Sequence, residues 1–446
     1  MFPVDKETLK YVIAQSTGRP LPVAKPRTLV LPHDSGKIIA LVGIRRAGKT
    51  YQLYATMRVL ESQGVDRRRM LYLSFEDDRL IPIQAGELSL ILRAHEELYP
   101  EVSGQRKYIF FDEVQNAPSW ETYLRRLHDT EDVSVFVTGS SSHLLSRDIA
   151  TGLRGRSISY EVFPLSFVEF LRFRGLKHEP YSRASESRMA SALEEYLRTG
   201  GLPEVVLSDE LLRPRILKEY VDLLFYRDLV ERHRIANPRL MRLLLRYCLG
   251  NPASLLNVHK LYQDFRSQGL SLSKDTLYSY LDYLEESFVV FTIPVADRSL
   301  RKQSANPKKL HSVDWSLAHP LVPEPSIDLG RKLETAVFLH WRRMREDLGY
   351  LPGEREVDLV VNRERPEDLV NVAYSVTRAQ TWTREVRALE EASSRFPDAD
   401  RVLVAHERAR RAPPPGIRVE DAWRYLLGAT RDSKKTVKRV PKGRKK

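Results

Sequence analysis

From Lys37 onward the chain alternates between short unbroken apolar runs and stretches whose apolar residues recur every three or four positions. The runs are IIALVG, MLYLSF, KYIFFD, VSVFVTG and ISYEVF. An unbroken apolar run suits a strand buried on both faces, so the pattern predicts a parallel sheet covered by helices on each side, an α/β arrangement. Leu53, Met57 and Leu60 mark one intervening helix, which Gly64 can stop. Pro164 follows the fifth run and ends the sheet, and the first 35 residues mix proline with charge and read as a lead-in.

Beyond the sheet the periodicity is helical up to about residue 235, with a break at Gly200, Gly201 and Pro203, where a lid over the sheet is expected. Three helical patterns follow, at 238–249, 254–268 and 273–287, stopped by Gly250-Asn251-Pro252 and by Gly269, with Ser254 and Ser273 as expected N-caps. Two extended pieces, SFVVFTI and KKLHSV, come next, joined by a polar loop. Three helices and then a hairpin is the order of a winged helix. The last region opens with a helix containing Glu334, continues through strands near LGYL, EVDLVV and DLVNVAYS, and closes with a helix near 380–394 and the strand RVLVAH. The expected domains are a lead-in (1–35), a sheet core (36–170), a helical lid or linker (171–235), a winged helix (236–325), a small α/β domain (326–428) and a basic tail (429–446), with no short-period repeat.

The segment Gly43-Ile44-Arg45-Arg46-Ala47-Gly48-Lys49-Thr50 fits GxxxxGK[ST], the P-loop, between the run IIALV and an amphipathic helix. Glycines let such a loop curl its N–H groups toward phosphates, and the helix N-terminus adds positive potential. Lys49 is expected to reach the β- and γ-phosphates of ATP, and the Thr50 hydroxyl to hold Mg2+. KYIFFD-Glu113 ends a strand in two acids: Asp112 for the metal and Glu113 to polarise the attacking water. A glutamate there argues for hydrolysis rather than nucleotide sensing alone. VSVFVTG is the strand expected between the P-loop strand and the acidic one; it ends in Thr138, Gly139, Ser140 and Ser141, which read either as a sensor of the γ-phosphate or as a plain polar turn. Arg154 and Arg156 precede the fifth strand. They read as an arginine finger, acting within the chain or on a neighbouring copy and worth on the order of 10³–10⁵ in rate. The alternative is a pair of helix-end cations. Arg45 and Arg46 can face phosphates or acids such as Glu76 and Asp78.

Length and composition frame this reading. At 446 residues about three domains are expected. The single cysteine, Cys248, rules out an intrachain disulfide and a zinc–cysteine cluster. The chain start does not read as a secretory signal, and no apolar stretch approaches the roughly 20 residues a membrane span needs, so a cytoplasmic protein without a membrane partner is expected. Of the +13 net charge, the tail RDSKKTVKRVPKGRKK holds nine basic residues against one acid, leaving the body mildly basic. The tail is either solvated or a nucleic-acid contact.

The third helix of the winged region carries the stripe Leu277, Leu281, Leu284 and Phe288, and faces outward with Asp275, Asp282, Glu285 and Glu286 against Lys274. Those acids oppose entry into a DNA groove. The loop after it gathers Arg298, Arg301, Lys302, Lys308 and Lys309, a basic wing able to hold the phosphates of double-stranded DNA without reading sequence. A wing that packs on protein is the alternative.

GIRRAGKT, YLSFEDDRL, FFDEVQNAPSW, VFVTGSSSHLLSRDIATGLRGR and FPLSFVEF together resemble archaeal and bacterial AAA+-type ATPases, most closely a subgroup with a C-terminal domain of unknown function. The resemblance is strong over 36–175. It implies a P-loop NTPase sheet of the AAA+/ASCE type, ATP hydrolysis with Mg2+, a winged helix and a restriction-endonuclease-like domain. In that last fold Glu334 and Asp358 match metal-binding acids, but Asn371-Val372-Ala373 stands where an active nuclease carries an acid or glutamine, any residue, and lysine. The loss of the acid and lysine implies a domain that is not a nuclease. Two classes of function follow: an ATPase that remodels DNA or a DNA-bound complex, and a nucleotide-gated signalling or scaffold ATPase whose C-terminal domains dock proteins. Arginine fingers that reach across subunits add a homo-oligomer as a further expected partner.

Overall fold

The computed structural model describes residues 4–140, 152–322, 328–345, 347–409 and 411–428. The basic tail and Ser141 lie outside the described residues. The chain divides into two compact units. One holds the residues up to Leu165 with Leu202–Tyr247 and Tyr262–Phe291; the other holds Ser166–Gly201, Cys248–Leu261 and the chain from Thr292 onward.

In the first unit the five apolar runs form β1 (Ile38–Val42), β2 (Met70–Ser74), β3 (Lys107–Asp112), β4 (Val133–Gly139) and β5 (Ser157–Glu161), all parallel, in the order β2-β3-β4-β1-β5. β4 lies between β1 and β3, with Ile39 opposite Phe136 and Phe110 also opposite Phe136, so the phosphate-loop strand and the acidic strand are separated by VSVFVTG. β1 and β3 are buried at every position, as unbroken apolar sequence requires of strands covered on both faces. Stacked Phe110 and Phe136 rings, 4.9 Å apart, fix the centre of the sheet. The lead-in contains a helix, Lys6–Gly18, capped by the Asp5 side chain on Thr8 N–H and burying Leu9, Val12 and Ile13. Lys6 and Lys10 pair with Glu97 of the helix Leu88–Leu98.

The segment expected as one lid divides at Gly200-Gly201. Helix Arg183–Thr199 belongs to the second unit, and helices Pro203–Leu207 and Arg213–Leu223, with the π-helical turn Leu224–Glu231, belong to the first. The break has a local cause within the second unit. Gly200 has φ +81°, a Cβ there would lie 2.3 Å from the Asp314 carboxylate, and that carboxylate accepts the Gly201 N–H at 2.6 Å.

Helices Pro238–Gly250, Val258–Ser267 and Lys274–Glu286 follow. Ser273 caps the third on Thr276 N–H, and Leu277, Leu281, Leu284 and Phe288 are buried. Ser254 does not cap the second. It opens a strand, β6 (Ser254–Leu256), and Asn257 caps the helix through Lys260 N–H at 3.0 Å. With β7 (Val290–Ile293) and β8 (Lys308–Ser312) it makes a sheet ordered β6-β8-β7. The connection between β7 and β8 is not wholly a loop: Ser299 caps a short helix, Leu300–Ala305.

The second unit is built on a mixed sheet of β9 (Leu348–Leu351), β10 (Val357–Val361), β11 (Asp368–Ser375), β12 (Asp400–Glu407) and β13 (Ile417–Asp421), ordered β13-β12-β11-β10-β9. β10 runs antiparallel to both neighbours, and β11, β12 and β13 are parallel. Helix Ala379–Arg395 packs Trp382, Val386 and Leu389 onto Val360, Leu369 and Leu403. Among the described residues no helix is long and apolar enough to cross a membrane.

Candidate nucleotide site

The phosphate loop hangs between β1 and the helix Lys49–Ser62. Its shape is set at two glycines. Gly43 has φ +141°, and a Cβ there would sit 2.3 Å from the Val162 carbonyl oxygen; Gly48 has φ +101° and starts the helix with no side-chain cap. The first-turn N–H groups are thus left for an anion, where the helix dipole favours one. Arg46 takes φ +67° in the same loop. Lys49 is buried, and its ammonium donates to the carbonyls of Gly43 at 3.0 Å and Ile44 at 3.2 Å.

Across from the loop, the end of β3 presents Asp112 and Glu113, both buried. Thr50 Oγ1 donates to Asp112 Oδ2 at 2.8 Å, the Tyr72 hydroxyl donates to the same oxygen at 3.1 Å, and Thr138 Oγ1 donates to Asp112 Oδ1. Thr138 in turn accepts the Glu113 N–H at 2.9 Å. Glu113 holds φ +51°, a conformation that costs a non-glycine residue roughly 1–3 kcal/mol and is retained where surroundings over-determine it. Its carboxylate accepts from Gln115 at 2.5 Å and lies 3.8 Å from the Lys49 ammonium.

The charges respond to this crowding. Burial lowers the Lys49 pKa against the opposing pull of Glu113 and Asp112. Burial raises that of Asp112, with the Thr138 hydrogen bond working against it. Glu113 is also pushed up by burial, but Lys49, Gln115, Arg45 and Arg232 outweigh that, and its carboxyl stays below the ordinary glutamate range.

Arg45 turns away from the loop onto acids. It forks onto Asp228 through Nε at 3.1 Å and Nη2 at 3.2 Å, and reaches Glu76 at 3.0 Å. Arg46 lies 3.9 Å from Glu204 and over the Tyr220 ring, not on Asp78. Ser140 is held by Arg232, which donates to its hydroxyl at 3.0 Å and its carbonyl at 3.3 Å, and Arg232 also pairs with Asp228 at 3.4 Å. So Lys49, Thr50, Asp112, Glu113 and Thr138 form one bonded cluster, and Ser140 belongs to a second one with Arg232, Asp228 and Arg45, whose two arginines act on Glu113 through charge. Arg154 and Arg156 are not bonded to the first: Arg154 is exposed, and Arg156 pairs with Asp129 at 2.7 Å. Tyr72, Gln115, Asp228 and Arg232 had no motif to mark them; the i,i+4 spacing of Asp228 and Arg232 was the one available signal.

The second unit holds another buried charged cluster. Lys309 is 1% exposed and its ammonium touches Glu334 at 2.5 Å, Glu356 at 2.6 Å and Asp358 at 3.0 Å. Burial opposes its charge, but Asp358, Glu334 and Glu356 prevail and lift it well above an ordinary lysine, while burial lifts Glu334 well above an ordinary glutamate. Lys309 is therefore not part of a basic surface wing: β8 is buried from Lys309 to Ser312, and only Lys308 of that strand is exposed. Lys302 is taken up by Asp297 at 3.1 Å, and Arg298 donates to the Glu364 carbonyl. Asn371 occupies the strand position opposite Asp358, accepting the Asp358 N–H and donating to Glu385. Among the described residues no group of three or more histidine, cysteine, aspartate or glutamate side chains is placed to hold a metal ion.

A parallel sheet ordered 2-3-4-1-5, a glycine-shaped phosphate loop and an acidic strand separated from it by one strand define a P-loop nucleotide-binding ATPase. The AAA domain family matches residues 35–171, and a domain of unknown function (DUF8612) matches 190–328. An uncharacterized protein of Methanocaldococcus jannaschii is 34% identical over 365 residues, covering 80% of this chain and 78% of that one. An uncharacterized protein of Haemophilus influenzae is 27% identical over 352 residues, covering 78% and 85%. Among solved structures, a Walker-type ATPase of Pyrococcus abyssi is 15% identical, covering 68% of this chain and 99% of that chain at a TM-score of 0.41. The chain belongs to the AAA-type P-loop ATPases, in the family of the M. jannaschii protein.

Proposed function

We propose that the protein hydrolyses ATP to ADP and phosphate in a Mg2+-dependent reaction and uses the cycle to remodel DNA or a DNA-bound complex. The observation that carries the hydrolytic part is the single bonded cluster of Lys49, Thr50, Asp112, Glu113 and Thr138. The backbone of Gly43, Ile44, Arg45, Arg46, Ala47 and Gly48 cradles the phosphates. The Lys49 ammonium exchanges the carbonyls of Gly43 and Ile44 for β- and γ-phosphate oxygens. Glu113, kept ionised beside Lys49, accepts a hydrogen bond from the attacking water and turns it toward the γ-phosphorus. Thr138 fixes the spacing of the two acids, and Ser140 with Arg232 borders the γ-phosphate. Arg154 and Arg156 act, in this reading, on a neighbouring copy, since neither is bonded to its own cluster.

Mg2+ fits the donor set. Two oxygens 2.8 Å apart, a hydroxyl on Thr50 and a carboxylate on Asp112, are hard ligands suited to a small divalent ion that keeps most of its water. When bound, it would supply charge neutralisation at the phosphates.

The DNA part rests on Arg301, Lys308 and the tail, because Lys309 is buried and Lys302 is paired. That depletion favours a second reading, a nucleotide-gated ATPase whose C-terminal unit docks proteins. Turnover measured with and without duplex DNA across a salt series separates them. Stimulation that fades steeply with salt supports DNA remodelling, and a flat response with nucleotide-dependent oligomers supports docking. Lys49→Ala abolishes turnover under either.

A further inference from the structure

A cavity of about 320 Å³ lies in the first unit, lined by the end of the helix Lys6–Gly18, the chain at Arg19–Pro22, Tyr54 and Met57 of the helix Lys49–Ser62, and β2 with the turn after it. Its charge is one-sided. Arg19, Arg67 and Arg79 line it against the single acid Asp77. Asp77 is committed to Arg79 through two bonds, of 2.8 and 2.5 Å. Arg67 donates to the Ser16 carbonyl and to the Met70 sulfur, neither of which offsets its charge. The Arg19 guanidinium has no hydrogen-bond or ion-pair partner among the described residues, and it acts electrostatically on the Tyr54 hydroxyl. Arg19 is thus left without a partnered acid, and Arg67, among acids, feels only the charge of Glu61, over a cavity also lined by Tyr54 and Tyr72.

Those hydroxyls lead somewhere. Tyr54 donates to Tyr72 at 3.1 Å, and Tyr72 donates to Asp112 Oδ2 at 3.1 Å, the oxygen that also accepts from Thr50. We propose that the cavity binds a small oxyanion of the phosphate or sulfate type and that the Tyr54–Tyr72 relay couples its occupancy to cation binding at Asp112. This rests on the nucleotide-site reading above. An oxyanion on Arg19 accepts the Tyr54 O–H and draws it from Tyr72. Hydrogen bonds in a chain polarise one another, so Tyr72 then donates more weakly to Asp112. Asp112 Oδ2, less engaged, is a better ligand for a divalent ion. Linkage makes the effect mutual: the ion tightens the anion by the same factor.

The test is sulfate titration by calorimetry on the full chain saturated with a non-hydrolysable ATP analogue, with and without Mg2+. The analogue fills the phosphate loop, so sulfate heat reports another site. Wild type is expected to bind one sulfate, about five-fold tighter with Mg2+, near the low end of measured couplings. Arg19→Ala is expected to weaken sulfate about ten-fold or more. Tyr54→Phe, which keeps the arginines and breaks the relay, is expected to bind sulfate yet lose the Mg2+ effect. No sulfate heat on the analogue-loaded protein, unchanged binding in Arg19→Ala, or an intact Mg2+ effect in Tyr54→Phe would each overturn the proposal. If the analogue itself does not bind, the nucleotide reading fails first and the coupling falls with it.

Discussion

Arg45 brings a positive charge into a loop that must receive phosphate, and the fold spends that charge on Asp228 and Glu76 rather than leaving it free. Asp228 is nearly fully buried and is shared by Arg45 and Arg232, so it ties the loop to the residue that holds Ser140. Asp228→Asn keeps the shape but removes the charge. We expect a loss of about 2–3 kcal/mol in urea unfolding, the usual worth of a hydrogen bond to a charged group, with a larger fall in kcat than in ATP affinity. Gly43→Ala meets the Val162 carbonyl and a φ of +141° that alanine rarely adopts. It is expected to lower stability and abolish ATP binding, whereas Gly64→Ala, facing open space, should affect only stability.

At the scale of elements, the helix Leu88–Leu98 carries a pH dependence. Burial pulls His95 down to about 4, so it stays neutral when folded while an unfolded histidine takes a proton near its ordinary 6.5. Between those values the unfolded state binds more protons, and stability falls as pH drops from about 6.5 to 4, by about 3 kcal/mol for this group. Thermal melts over that range should show the slope, and His95→Phe should flatten it. The same scale shows what sequence could reveal. β1 and β3 were legible because a strand buried on both faces has nowhere to place a polar residue and so announces itself as an apolar run; the edge strand β5, with no buried position, was legible only from the short run ISYEVF before Pro164. The helix Lys6–Gly18 was hidden although Leu9, Val12 and Ile13 repeat correctly, since the prolines that follow it masked the period. Ser254 looked like a cap because serine before a helix usually is one, but a three-residue strand intervenes. Lys309 looked like surface charge because only partners distant in sequence, Glu334, Glu356 and Asp358, make its burial tolerable. The phosphate loop and the acidic strand were legible by local spacing; Asp228, Arg232 and Tyr72 reach the site by tertiary contact and left no local trace.

For the whole molecule, each unit carries a buried charged cluster among the described residues, built around Lys49, Asp112 and Glu113 in the first and around Lys309 in the second. Lys309→Met would strand three carboxylates in the second unit, and breaking a buried ion pair in this way costs about 3–5 kcal/mol. Calorimetric unfolding should show that loss, while the salt dependence of any DNA binding stays unchanged, because a buried ammonium releases no counterions. A changed salt slope would return Lys309 to the surface. The most direct test of the central claim is a single-turnover measurement of phosphate release and retained ATP in wild type and Glu113→Gln. Wild type should hydrolyse ATP only with Mg2+, and Glu113→Gln should hold ATP while turning over about 10²–10⁴-fold more slowly, the usual contribution of a positioned base. Hydrolysis by Glu113→Gln at the wild-type rate, or a folded wild type that retains no ATP, would contradict it.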